Sequence, residues 1–122
     1  LLAGDLGSPL GARRFDAVVA NPPYVAEAEA PELAPEIREH EPRLALFSKE
    51  GGLAHSRRLA GWLGDHLVAT GCAAVECAAQ RAAATRDLFA AALGAPWSVR
   101  LASDLAGRGR AVVVEPRSAA ED

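Results

Sequence analysis

The sequence predicts an α/β fold in which helices cross over between strands and an antiparallel hairpin closes the sheet. Three observations lead there. Short apolar runs of strand length alternate with segments whose apolar residues recur every three to four positions. The first run stops abruptly at two consecutive prolines, as a buried strand must. Near the C-terminal end, two apolar runs follow one another with only a turn-rich stretch between them.

The first strand is Phe15-Asp16-Ala17-Val18-Val19-Ala20, ended by Asn21-Pro22-Pro23-Tyr24. From Val25 to Pro42 the chain carries six glutamates and three prolines without a sustained apolar period, which predicts an irregular connection holding one or two helical turns. Leu53, Ala60, Leu63 and Leu67, with Ser56 between, then recur at helical spacing while Arg57, Arg58 and Asp65 occupy the other side, giving a helix opened by Gly51-Gly52 and stopped by Gly71. Ala73 to Cys77 is a short strand. Ala78, Ala82, Thr85, Phe89 and Leu93 mark a second helix that Gly94 and Pro96 close. Trp97, Val99 and Leu101 alternate, and Ala111 to Val114 is a continuous run after the turn at 104–110, so these two strands pair as an antiparallel hairpin. The polar tail, 118–122, is expected to fray.

Composition bounds the rest. The 122 residues carry 13 basic and 16 acidic side chains, a net charge of −3, with 50% apolar and 24% charged residues. One domain of that size buries roughly two-thirds of its surface, so general disorder is excluded. A mildly acidic chain supplies no cationic sheath for a phosphate backbone, which argues against a dedicated nucleic-acid module. Every hydrophobic stretch is interrupted well short of the ~18 residues that cross a bilayer. Cys72 and Cys77 lie about 16 Å apart along an extended chain, too far for a disulfide, and the expected setting is reducing and cytoplasmic. The chain has no methionine and opens Leu1-Leu2-Ala3, which predicts a piece of a longer protein.

In an open sheet, ligands gather beyond the carboxyl ends of the parallel strands, and Asn21 to Tyr24 sits at such an end. Two adjacent prolines arise by chance at roughly one position in 400 and alone mean little. Their chemistry in this context means more. A planar –NH2 group has two donor hydrogens and needs two acceptors to hold it. Asn21 offers a side-chain carbonyl, and Pro22 a backbone carbonyl in a segment stiffened by two fixed φ angles. Together they are able to hold and orient such a nitrogen, with the Tyr24 ring available to pack on the planar group. The competing account is an ordinary strand-ending turn.

The whole run from Phe15 to Tyr24 closely resembles the strand and loop of methyltransferases that alkylate planar amino or amide nitrogens. Glu36-Ile37-Arg38-Glu39-His40-Glu41-Pro42-Arg43-Leu44-Ala45-Leu46 narrows this, since it resembles the segment after that loop in the protein-glutamine methyltransferases that modify peptide-chain release factors. Asp104 to Val113 is similar to that family's closing hairpin, and Gly4-Asp5-Leu6 to its acidic turn beside the adenine pocket.

The resemblance covers residues 1 to about 117. It implies the C-terminal half of a Rossmann-like class I S-adenosylmethionine-dependent methyltransferase sheet, a partial catalytic domain over 1–117 and a flexible tail over 118–122. It also implies transfer of a methyl group from S-adenosylmethionine to a release-factor glutamine. Asn21 and Pro22 take the catalytic role, Asn21, Pro22, Pro23 and Tyr24 hold the substrate, and Leu6 and Asn21 touch the cofactor. The family's glycine-rich cofactor loop, its ribose-binding acid and its leading helical domain are not within these 122 residues. Gly107-Arg108-Gly109 lies in a late hairpin and is no dinucleotide fingerprint.

Departures from the family pattern are Gly51-Gly52-Leu53 for an Asp-Gly-Leu type turn, Ser56 for a tyrosine, and Cys72 for the second glycine of a pair. Glu76-Cys77-Ala78-Ala79-Gln80 resembles the family's acidic strand end with its spacing one residue tight.

Other readings are an adenine amino group in DNA or RNA as acceptor, and a non-catalytic half-domain that binds substrate or a partner. His40, His55, His66 and the two cysteines lack metal-ligand spacing, so no metal is expected. His55 and Ser56 are helix neighbours about 100° apart and are expected at the surface. His40-Glu41-Pro42 is either at the active-site mouth or a solvated loop. Arg57-Arg58, Arg108 and Arg110 are expected to be solvated, and Trp62 and Trp97 to pack in or near the core.

Overall fold

The computed structural model describes residues 2–118. Apart from Ser118, the tail at 118–122 lies outside them.

Four strands, β1 (Phe15–Ala20), β2 (Leu67–Glu76), β3 (Trp97–Ser103) and β4 (Gly109–Pro116), form one sheet in the order β1-β2-β4-β3. β1 and β2 are parallel, and β4 runs antiparallel to both β2 and β3. The hairpin was expected, but not its placement. The returning strand β4 enters between β2 and β3, which puts Val112 and Val114 at the centre of the sheet, fully buried.

The helices are α1 (Pro35–His40), α2 (Arg43–Leu46), α3 (Lys49–Gly52, a single turn), α4 (Ala54–His66) and α5 (Ala82–Leu93). Three-residue 3-10 turns stand at Ser8–Leu10 and Ala79–Arg81, with a longer one at Glu27–Glu32. Leu59, Ala60 and Leu63 of α4 and Phe89 of α5 bury against Ala73, Val75, Val112 and Val114 of the sheet. Their spacing of three to four on the helices and two on the strands puts every one of them on a facing surface. On β1, Val18 and Ala20 pack on this core while Val19, pointing to the other face, is 86% exposed.

Two boundaries differ from expectation. The excursion after Tyr24 is more regular than predicted, since Glu27–Glu32, α1 and α2 account for most of it. Pro31 sits inside the 3-10 turn, and Pro35 at the first position of α1, where its missing N–H costs nothing. The second difference is at α4, which ends at His66 and not at Gly71, with Leu67 already in β2. The His66 ring stacks on Trp62 (4.3 Å between centroids) and places its nitrogens 2.7 Å from the Trp62 carbonyl and 2.9 Å from that of Gly11. This fixes the last turn of α4 against the segment that enters β1.

β2 then bulges, because its register jumps from Phe15↔Leu67 to Ala17↔Cys72. Gly71 lies in the bulge. A Cβ there would stand 3.0 Å from the carbonyl oxygens of Asp16 and Val68, so the close approach of β1 requires glycine. Gly71→Ala is accordingly expected to destabilise the chain by about 1–3 kcal/mol, the usual cost of overpacking against backbone. Urea denaturation would check this, and an unchanged midpoint would show that the bulge can open without loss.

Candidate active site

β1 delivers the chain to Asn21-Pro22-Pro23-Tyr24 at the carboxyl end of a parallel strand. Asn21 is exposed, Pro22 is buried, and Pro23 and Tyr24 are half-buried. No protein donor among the described residues reaches the Asn21 side chain or the Pro22 carbonyl, so both acceptors are free.

Two cavities meet at this pair. The larger, about 310 Å³, is lined by Leu6, Leu10, Val18, Leu59 and Trp62 together with Asn21, Pro22 and Pro23, and its walls are mainly apolar. The smaller, about 120 Å³, is bounded by Asn21, Pro22, Tyr24, Val25, Ala45 and Leu46. Asn21 and Pro22 belong to both. Every site residue expected from sequence therefore lines at least one of these two spaces, Leu6 on the side of the larger and Tyr24 on the side of the smaller.

The N-terminal turn that carries Leu6 is tied to α4. Arg58 clamps Asp5 with two hydrogen bonds of 3.0 and 2.7 Å, which hold the Asp5 carboxyl below its ordinary range. Leu6 itself has φ 52°, a left-handed turn conformation, and the backbone N–H of Ser8 closes the turn onto the Asp5 carbonyl at 3.1 Å. Arg58 was expected to be merely solvated; it is exposed, yet it positions this turn.

The 25–48 excursion is pinned at its base. The Val25 N–H donates to the Leu46 carbonyl and the Ser48 N–H to the Val25 carbonyl, each at 2.9 Å. Ser48 is 3% exposed, and its Oγ accepts from the His55 N–H (3.0 Å) and lies 2.8 Å from His55 Nδ1. The expectation of a surface His55-Ser56 pair fails: Ser56 is 1% exposed beneath α4, and His55 anchors the start of that helix.

The residues that sequence reasoning missed are Arg81 and Glu29. Arg81, at the junction between β2 and α5, donates through Nη2 to the Tyr24 carbonyl at 2.6 Å. The same guanidinium donates to Glu29 Oε1 (2.9 Å) and Oε2 (3.1 Å), and the two side chains are only 18% and 20% exposed. Glu29 also accepts from Gln80 (2.7 Å) and from the Ala26 N–H (2.9 Å). These bonds, Arg81 foremost, pull the Glu29 carboxyl down to about 2.

Gly52 makes room for this arrangement. It has φ +96°, and a Cβ on it would fall 2.5 Å from the Tyr24 oxygen and 2.8 Å from Arg81 Nη2. The Tyr24 hydroxyl is pushed above its ordinary value by burial and by Glu76, with Arg110 opposing. Among the described residues no group of three or more His, Cys, Asp or Glu side chains forms a metal site. Cys72 and Cys77 are both free.

The strand order, with one antiparallel strand between two strands of common direction, is consistent with the C-terminal half of a Rossmann-like class I methyltransferase sheet. Comparison with known proteins narrows the class. The chain is 43% identical over 113 residues to the release factor glutamine methyltransferase of Caulobacter vibrioides, covering 93% of this chain and 38% of that protein. The same-named protein of Moorella thermoacetica is 40% identical over 110 residues, 90% of this chain and 38% of its own length. That of Geobacter sulfurreducens is 38% identical over 89 residues, 73% of this chain and 31% of its own length. No family model matches the chain. The chain spans less than two-fifths of the curated relatives it matches, at their C-terminal part, and belongs to the release factor glutamine methyltransferase family.

The Glu29 carboxyl gives a pH dependence with a definite sign. Its folded pKa lies below the ordinary 4.5, so the stability it contributes is full above that value and is lost as pH falls toward about 2. Between pH 7 and pH 3 the loss is expected to be on the order of 1–2 kcal/mol for this group. Urea denaturation at both pH values would check it through Glu29→Gln, whose stability should fall less than wild type over the same interval; parallel profiles would remove Glu29 from the account.

Proposed function

We propose that the enzyme to which this chain corresponds transfers a methyl group from S-adenosylmethionine to the side-chain amide nitrogen of a glutamine in a peptide-chain release factor. One observation carries the reading: Asn21 and Pro22, with unengaged oxygens, form the shared wall of two cavities. On this reading residues 1–117 are part of the catalytic domain.

The larger cavity fits the cofactor's adenine end. Leu6, Leu59 and Trp62 give it apolar walls suited to a flat heterocycle, and Asn21 supplies a polar edge toward the second space. When bound, S-adenosylmethionine supplies a methyl carbon made electrophilic by its sulfonium. The chain's own residues do the rest. Asn21 Oδ1 and the Pro22 carbonyl accept the two N–H bonds of the glutamine amide, which fixes the nitrogen at the wall between the cavities. Two prolines hold that backbone rigid, so the Pro22 carbonyl is placed before substrate arrives, and the Asn21 side chain is free to turn its oxygen to the amide. The Tyr24 ring packs on the planar amide. Displacement in line needs alignment more than a base, and the exposed Asn21 leaves the nitrogen's proton a route to water once the new bond makes it acidic.

An adenine amino group would present the same two donors. The names of the relatives and the net charge of −3 favour the protein amide. No helix among the described residues is long and apolar enough to cross a membrane.

In the full-length enzyme, Asn21→Ala is expected to lower kcat about 100-fold or more while leaving the melting temperature nearly unchanged, because the side chain is exposed and holds nothing else in place. Labelled cofactor and purified release factor give the measurement. Wild-type turnover in the variant would overturn the proposal.

A further inference from the structure

We infer that Arg81 is a positioning residue for the glutamine amide, acting through the Tyr24 carbonyl to hold the far end of the Asn21–Tyr24 bend. The inference rests on the methyl-transfer reading above and extends it to a residue outside both cavities. β1 fixes the near end of the bend by its ladder with β2, where Ala20 pairs with Val75. Just past the far end, Val25 is bridged to Phe47 through the Leu46 carbonyl and the Ser48 N–H, and the Tyr24 carbonyl itself is held by Arg81. Its Nη2 donates to the Tyr24 oxygen at 2.6 Å, while Nη1 and Nη2 each donate to one carboxylate oxygen of Glu29.

Three further observations show that this placement is specific. The guanidinium reaches both Tyr24 and Glu29 with its Nε–H buried and without a partner. Its own backbone is fixed, with the Arg81 N–H bonded to the Ala78 carbonyl at 3.0 Å and its carbonyl accepting from Thr85 Oγ1 at 2.8 Å. Gly52, by lacking a Cβ, clears the space that the bond to Tyr24 crosses. A carbonyl held this firmly fixes the peptide planes of the short bend between it and β1, and with them the Tyr24 ring and the Pro22 oxygen. None of Arg81, Glu29 and Tyr24 lines the larger cavity, so the effect separates from cofactor binding.

The test compares three full-length variants with wild type in methyl transfer to release factor. Arg81→Met keeps the side chain's bulk and removes its donors; kcat is expected to fall 10- to 100-fold, with cofactor Kd within about threefold of wild type. Arg81→Lys offers one ammonium where a fork was needed and should fall between the two. Phe89→Leu loosens the buried core away from the bend and serves as the stability control; at equal loss of melting temperature it should keep kcat within about threefold. Wild-type kcat in Arg81→Met, or an equal loss of kcat in Phe89→Leu, would overturn the role of Arg81 alone. Wild type that fails to methylate release factor would overturn the methyl-transfer reading and this inference with it.

Discussion

The parallel pairing of β1 with β2 is the constraint on which the site depends. It runs from Ala17↔Cys72 to Ala20↔Val75 and sends the chain out of the sheet at Asn21. Because the next two residues are prolines, the backbone has little freedom at the exit, and the direction in which the Pro22 carbonyl leaves the strand is constrained. The α4–α5 layer holds β2 in place by burying Ala73 and Val75, so core packing and acceptor geometry are links of one chain.

Electrostatics completes what the sheet begins. The Arg81–Glu29 pair is largely desolvated, and such pairs add little net stability compared with a well-packed apolar substitute. The pair's value lies in geometry. It joins the β2–α5 junction to the Glu27–Glu32 turn and holds Arg81 where it reaches the Tyr24 carbonyl, 57 positions away in sequence. The Arg58–Asp5 clamp does the corresponding job at the surface, where solvent weakens it.

Much of this was legible without coordinates. Helical periodicity gave both long helices, and short apolar runs or alternation gave all of β1, the second half of β2 and the hairpin strands, because the residues that bury recur at 3.6 positions on a helix or cluster in a short run on a strand. The Asn21–Tyr24 bend was legible because a double proline ends the apolar run of β1. The end of α4 was not: Gly71 looked like its stop, whereas His66 bridges to the Gly11 carbonyl, 55 positions away, and the glycine serves a bulge against β1. Ser56 and His55 likewise read as surface because their burial depends on what α4 lies against.

By itself, then, the sequence determined the alternation of elements, the rigid bend and the chemistry that bend offers, since these follow from side-chain periodicity and from proline's fixed φ. Tertiary structure decided that β4 and not β3 lies beside β2, that Asn21 and Pro22 separate two cavities, and that Arg81, among twelve arginines, is the one turned inward to Tyr24. The reason is physical. A local pattern encodes which face a residue presents, but the partner of a charge or the neighbour of a strand is set only when distant segments compete for the same space.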